Sequence, residues 1–293
     1  MNGRKQKIKV FDVINALIML FILFVTAYPV YYVVIASFSD PGKLSRVVGT
    51  IWLPLKPYTL DAYKAVFNNI QIATGFRNTL FVLVVGVMVN LILTVLGAYF
   101  LCVKDLMLKS VVAFMIIFTM YFSGGLIPDY LNIKDLGLLN SLWSLILSMG
   151  INTSNLIIMK SAFQAMPDSL VESARLDGAS HLQILVKIMI PLSKATLAVM
   201  VLYYGVSHWN AWFYASIYLR DSELYPLQLV MRSILINSQA AQMTGGVSGD
   251  DMSQYVNLIK YALIVVTTAP ILCLYPFLQK YFVKGVMVGA IKG

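Results

Sequence analysis

From residue 11 to residue 37 the chain is almost uninterrupted hydrocarbon, and a second run of the same kind covers 77–103. A helix of about 20 mainly apolar residues crosses roughly 30 Å of hydrocarbon. In lipid the backbone polar groups must be satisfied within the segment, so such runs become helices. Four further runs fit the same description: 110–128, 138–160, 195–219 and 255–280. The fourth of the six is interrupted by Asn152, Ser154 and Asn155, small or polar residues that face neighbouring helices in membrane bundles. The expectation is an all-α membrane protein with six transmembrane helices in one domain spanning 1–293.

Composition agrees. Only 12% of the 293 residues are charged and 59% are hydrophobic, against roughly a quarter charged in soluble domains. Mean hydropathy is +0.78. Arg4, Lys5, Lys7 and Lys9 precede the first run. That run is longer than the apolar core of a secretory signal, and it reads as a retained first span.

The net charge of +9 follows topology. With both termini inside, the inner segments carry thirteen of the 22 basic residues and five of the 13 acids. Cytoplasmic segments favour Lys and Arg, so this orientation is expected and a nucleic-acid surface is not. Cys102 and Cys273 both lie in apolar runs and make no metal or disulfide framework. The two histidines, His181 and His208, give no His-Glu-x-x-His pair and no base beside a nucleophile, so no catalytic or metal residue is expected. Ion-coupled carriers place ionisable residues inside spans; here the clearest is Lys260, near enough to an end to snorkel. No phosphate-binding Gly-x-x-x-x-Gly-Lys-Ser/Thr loop is present.

Three connections are long: 39–76 and 220–254 outside, 161–194 inside. The inner one is a polar island. Pro167 and Asp168 precede Ser169-Leu-Val-Glu172, a capping-box spacing in which Ser169, or Asp168 one residue earlier, caps a short helix. Gly178 permits a reversal, Ser180-His-Leu-Gln183 repeats the box, and a second helix runs to Pro191, which should bend it. Leu170, Val171 and Ala174 form a small apolar face beside polar Glu172 and Arg175. A helix this short needs something to dock against.

These residues resemble the EAA loop of ATP-binding-cassette importer permeases: Glu172-Ser173-Ala174, three residues, Gly178, nine residues, then Ile188-Met-Ile190-Pro191. Ser173 and Ile190 depart conservatively from the motif's alanine and leucine. Phe122-Ser-Gly-Gly-Leu-Ile-Pro128, His208-Trp-Asn-Ala-Trp212, Tyr225-Pro-Leu-Gln-Leu229 and Gln279-Lys-Tyr-Phe-Val-Lys-Gly285 extend the resemblance to carbohydrate-uptake permeases related to the maltose system's smaller membrane subunit. Within these, the chain looks closest to a branch for complex, often uronate-containing oligosaccharides such as alginate and rhamnogalacturonan.

The resemblance implies the type I importer permease fold in a bacterial plasma membrane. Its partners would be a second permease subunit, two ATPase subunits that bind ATP and Mg, and a periplasmic or lipid-anchored solute-binding protein. Glu172, Ser173, Ala174, Arg175, Asp177, Gly178, Ile188 and Pro191 would couple to the ATPase. Gln239, Gly245, Gly246, Gly249 and Asp250, in the 220–254 loop, would meet the binding protein, and the 283–293 tail would reach the ATPase interface. Sugars are held by polar groups and aromatic faces in concave sites, so Asn90, Thr94, Tyr203, Tyr204, His208, Trp209, Asn210 and Trp212 are candidates for the substrate path. Trp209 and Trp212 equally suit a membrane interface, and Asn90 a bond across helices.

Overall fold

The computed structural model describes residues 10–47, 49–103, 106–243 and 258–273, the stretch 237–243 by its backbone. Among these residues every regular element is helical. The chain divides into two compact units, one of residues 1–69 with 234–268 and the other of 70–233 with 269–293.

In the first unit α1 (Val10–Ser37) runs for 28 residues, about 42 Å at 1.5 Å per residue. Its apolar side chains are exposed along most of this length. A helix apolar all round needs lipid or other helices about it. Only its C-terminal end is covered, where Ile35 and Ala36 pack with Ile51. There Tyr28 Oη donates to Ile51 O at 3.2 Å, and Leu55 N–H donates to Ser39 Oγ at 3.0 Å, folding the following loop back onto the helix. Short helices α2 (Pro41–Arg46) and α3 (Asp61–Asn68) complete that connection.

The second unit is organised by α4 (Ile70–Cys102), whose 33 residues extend about 50 Å. Three of its glycines, Gly75, Gly86 and Gly97, recur every eleven residues. That spacing returns to nearly the same helix face after three turns. Each lets a different neighbour approach. A Cβ on Gly75 would meet the Leu227 backbone at 3.2 Å, one on Gly86 the His208 ring at 2.6 Å, and one on Gly97 Leu156 Cδ1 at 2.9 Å. Close backbone approach over small residues is how helices pack where lipid removes the hydrophobic drive.

Around α4 stand α5 (Lys109–Tyr121), α6 (Leu126–Asp135), α7 (Leu142–Ser148), α8 (Thr153–Gln164), α9 (Asp168–Leu176), α10 (His181–Ile184), α11 (Ile190–Leu192), α12 (Lys194–Trp209), α13 (Trp212–Tyr218) and the start of α14 (Leu227–Met243). A π turn, Leu185–Met189, joins α10 to α11. The helix α15 (Leu258–Cys273) ends the described chain.

Among the described residues α1 and α4 can each cross a membrane by length and composition, and up to four spans result if each of two bent pairs is one, short of the six expected. The 138–160 run is one such pair, α7 and α8 meeting at 52° across the polar break at Gly150–Asn152. The other is His181–Leu192 with α12, bent by 84°. The 110–128 run yields a shorter helix, because the chain leaves α5 at Phe122 and Gly125 turns it at φ +90° before α6. The 195–219 run divides into α12 and α13 at Asn210–Ala211.

The second bend falls at Ser193 rather than at Pro191. Ile190 N–H reaches back five residues to Leu185 O in the π turn, a register that accommodates the proline's missing donor. Ser193, at φ −99° and ψ 16°, then donates to both Met189 O and Ile190 O at 3.1 Å.

Gly86→Ala tests the close approach. Its Cβ cannot fit unless His208 moves, so a loss of about 1–3 kcal/mol is expected, read as a lower melting temperature of the purified protein in detergent. An unchanged melting temperature would mean that the α4–α12 approach is not tight.

Candidate functional site

The 161–194 loop folds into a helix pair whose design is local. At its start Pro167 occupies the N-cap and makes no side-chain cap. The capping box expected at Ser169–Glu172 is therefore not formed: the helix begins at Asp168, and Ser169 already lies inside its first turn. Asp168 instead places a carboxylate in that turn, where the helix dipole favours negative charge.

The end of α9 is a complete glycine cap. Gly178, at φ +78°, donates to Arg175 O at 3.0 Å, and Ala179 N–H donates to Ala174 O at 2.9 Å. These two bonds define the Schellman motif and satisfy carbonyls that would otherwise face no partner. Ser180 then caps α10 in a reciprocal box: Gln183 N–H donates to Ser180 Oγ at 3.3 Å, and Ser180 N–H to Gln183 Oε1 at 2.8 Å. This second box is the one the sequence predicts.

One side of the pair is anchored. Val171, Ala174 and Ala179 pack on a buried cluster drawn from α4 (Val95, Ala98), α8 (Met159, Phe163) and α12 (Val199, Met200). At the end of α4, Tyr99 Oη and His181 Nδ1 lie 2.9 Å apart. The other side is open: Glu172, Ser173, Arg175, Asp177 and Gly178 are exposed, and Leu176 is 89% exposed. Leu170 turns outward as well, leaving Val171 and Ala174 as the packed part of the predicted apolar face. Ile188 is half-buried and Pro191 exposed. A rigid helix pair with leucines and charges on its free side can receive another protein but has no chemistry of its own. Beside it opens a cavity of about 320 Å³ lined by Tyr99, Lys109, Glu172, Arg175 and others.

The candidate substrate-path residues separate into two groups. Asn90, Thr94, Tyr204 and His208 close on one another. Asn90 Nδ2 donates to Met149 O and Gly150 O, at 2.5 and 2.8 Å, carbonyls freed where α7 breaks from α8. That leaves Asn90 Oδ1 as an acceptor, so the 2.6 Å contact assigns the proton to His208 Nε2. Thr94 Oγ1 and Tyr204 Oη lie 2.6 Å apart, and Tyr204 Oη also accepts from Asn152 N–H at 3.2 Å. The group thus ties the break in the α7–α8 pair to α4 and α12. His208 Nδ1 and Trp209 Nε1 are buried without hydrogen-bond partners among the described residues, and Trp209 packs edge-on against Phe76.

The second group is more open. Tyr203 and Trp212 are half-buried, and Asn210 is exposed, its Nδ2 donating to Val206 O at 2.9 Å. Residues not anticipated hold the neighbouring chain. Asn78 Nδ2 donates to Glu223 O at 2.7 Å, Thr79 Oγ1 accepts from Leu227 N–H at 2.8 Å, and Asn140 accepts from Arg220 and Asp221 N–H, both at 3.0 Å. A signal existed for Thr79, which precedes Asn90 by the eleven residues that separate the glycines. Gly245, Gly246, Gly249, Asp250 and the tail 283–293 lie outside the described residues, as does the side chain of Gln239.

Asn90→Leu leaves two carbonyls and the His208 N–H unpaired, whereas His208→Phe orphans only Asn90 Oδ1. At about 1–3 kcal/mol per buried unsatisfied group, the asparagine variant should melt at the lower temperature in detergent. The reverse order would count against this network.

Curated relatives cover nearly the whole chain. Protein LplC of Bacillus subtilis (strain 168) is 41% identical, over 97% of this chain and 96% of that protein. The polygalacturonan/rhamnogalacturonan transport system permease protein YtcP of the same strain is 39% identical, over 98% of this chain and all of that protein. Among solved structures, a chain of a bacterial ABC transporter involved in the import of the acidic polysaccharide alginate matches with a TM-score of 0.84 and 31% identity, covering 96% of this chain and 99% of that one. The family model for the binding-protein-dependent transport system inner membrane component matches residues 8–288, and the chain belongs to that family of transport permeases.

Proposed function

We propose that the chain is one permease half of an ATP-driven importer of acidic, uronate-containing oligosaccharides. The observation that carries this reading is the helix pair at 168–192, anchored on one side and open on the other, with Glu172 and Gly178 at the spacing of an ATPase-coupling loop. The charge of the substrate is supported by the names of two similar proteins, one a polygalacturonan/rhamnogalacturonan permease and the other an importer of alginate.

Six spans, with both termini in the cytoplasm of a bacterial cell, put the helix pair on the inner face and the 220–254 loop on the outer one. The bent pairs α7–α8 and His181–α12 then each count as one span or part of one, and α5 and α15 supply the two shorter crossings. The nucleotide and Mg sit on two ATPase subunits, each contacting one permease. A second permease subunit completes the pore, and a periplasmic or lipid-anchored binding protein delivers the sugar.

In this scheme Glu172, Arg175 and Leu176 enter a cleft of the ATPase. Val171, Ala174 and His181 pass its displacement to α8, α12 and α4. The Schellman cap and the Ser180 box keep the two short helices from deforming separately, so the displacement rocks the bundle between inward- and outward-facing states. Asn90, Thr94, Tyr204 and His208 serve helix packing, and substrate contacts fall on the open group around Asn210 and Trp212.

Glu172→Ala combined with Gly178→Pro should reduce co-purification with the ATPase subunit and lower sugar-stimulated ATP hydrolysis by about tenfold or more, as expected when a central interface anchor is lost. Unchanged complex formation and unchanged stimulation would refute the coupling role of this helix pair.

A further inference from the structure

We infer that Arg232, stacked on Trp212, is a specificity-determining site that reads the carboxylate of an acidic sugar on the outer side of the permease. This deepens the proposed function and rests on it. The guanidinium carbon of Arg232 lies 3.6 Å above the Trp212 ring. Arg232 opens the second turn of α14 and is exposed, while Leu227, Leu229 and Val230 of the same helix are buried. Among the described residues no carboxylate lies within 4.0 Å of Arg232; the ion pair among them is Lys64–Asp61 within α3.

An arginine paired with an acid would be spent on structure. This one has an aromatic face beneath it and, among the described residues, no carboxylate beside it. A guanidinium lying over an indole keeps the N–H groups at its edge free, as a preset fork. A carboxylate is the ligand such a fork fits, through two parallel charge-assisted bonds. The other face requirement, a fixed indole, is met because Trp212 packs against the cluster of Val82, Ile146 and Tyr218.

Hydroxyl recognition is available next to it. Trp212 N–H donates to Asn210 O at 2.8 Å, placing exposed Asn210 in the turn that opens α13. Its amide oxygen and second N–H are not used by the bond to Val206 O. Gln228, one turn before Arg232 on α14, is half-buried. A planar cation, an aromatic support and amide groups together match a uronate better than a neutral sugar, whose hydroxyls make no charge-assisted pair with a guanidinium.

The test uses the complete transporter reconstituted in liposomes with its binding protein. Uptake of a galacturonate oligosaccharide is compared with uptake of its methyl ester, which has the same ring and no charge. Arg232→Gln and Arg232→Lys should each lower uptake of the free acid about tenfold or more, the lysine variant because charge without the stacked fork is insufficient, with ester uptake unchanged. An equal loss for both sugars, or no loss for either, overturns the inference. Affinity for the sugar-free binding protein is measured in parallel. A fall in it matching the uptake loss would assign Arg232 to a protein carboxylate and overturn the inference as well. A wild-type transporter that moves neither compound refutes the substrate reading and the site with it.

Discussion

The second unit depends on how closely other helices reach α4. Gly75, Gly86 and Gly97 remove side chains from one face at three levels, admitting Leu227, His208 and Leu156 respectively. In water such contacts would be secondary to hydrophobic burial. In lipid they are primary, because a leucine gains nothing by leaving lipid tails for another leucine. The same face carries Thr79, Asn90, Thr94 and Ala98, all buried, so polar groups meet partners where the backbones are nearest.

That seam answers a problem created by the broken 138–160 segment. Separating α7 from α8 exposes Met149 and Gly150 carbonyls and the Asn152 N–H, which cannot remain bare in hydrocarbon. Asn90 and Tyr204 supply the missing partners, and Thr94 and His208 complete their valences. Polar side chains within spans invite a substrate reading. Here four of them make hydrogen bonds around a bend, and the more open candidates lie at the C-terminal end of α12 and in α13.

The helix pair at 168–192 combines local and distant control. Its caps are made from neighbours in sequence, so its shape is set within the unit. Its attachment comes from far along the chain, through Tyr99 to His181 and through the cluster shared by α4, α8 and α12. A loop that merely connected spans would need neither feature.

Much of this was legible in the amino-acid order. Apolar run length announced α1 and α4, the two helices among the described residues that can each cross a membrane unaided, the Ser180–Gln183 spacing announced its capping box, and Gly178 announced the turn, because each is settled by residues within a few positions of one another. The polar island likewise marked the helix pair at 168–192. Tertiary structure alone decided the rest. It closed Asn90, Thr94, Tyr204 and His208 into a packing network, moved the bend from Pro191 to Ser193 through a π turn, and brought Arg232 over Trp212. Those outcomes depend on which groups from distant segments face each other across a helix interface, and a side chain's partner there is chosen by packing, not by its neighbours in the chain.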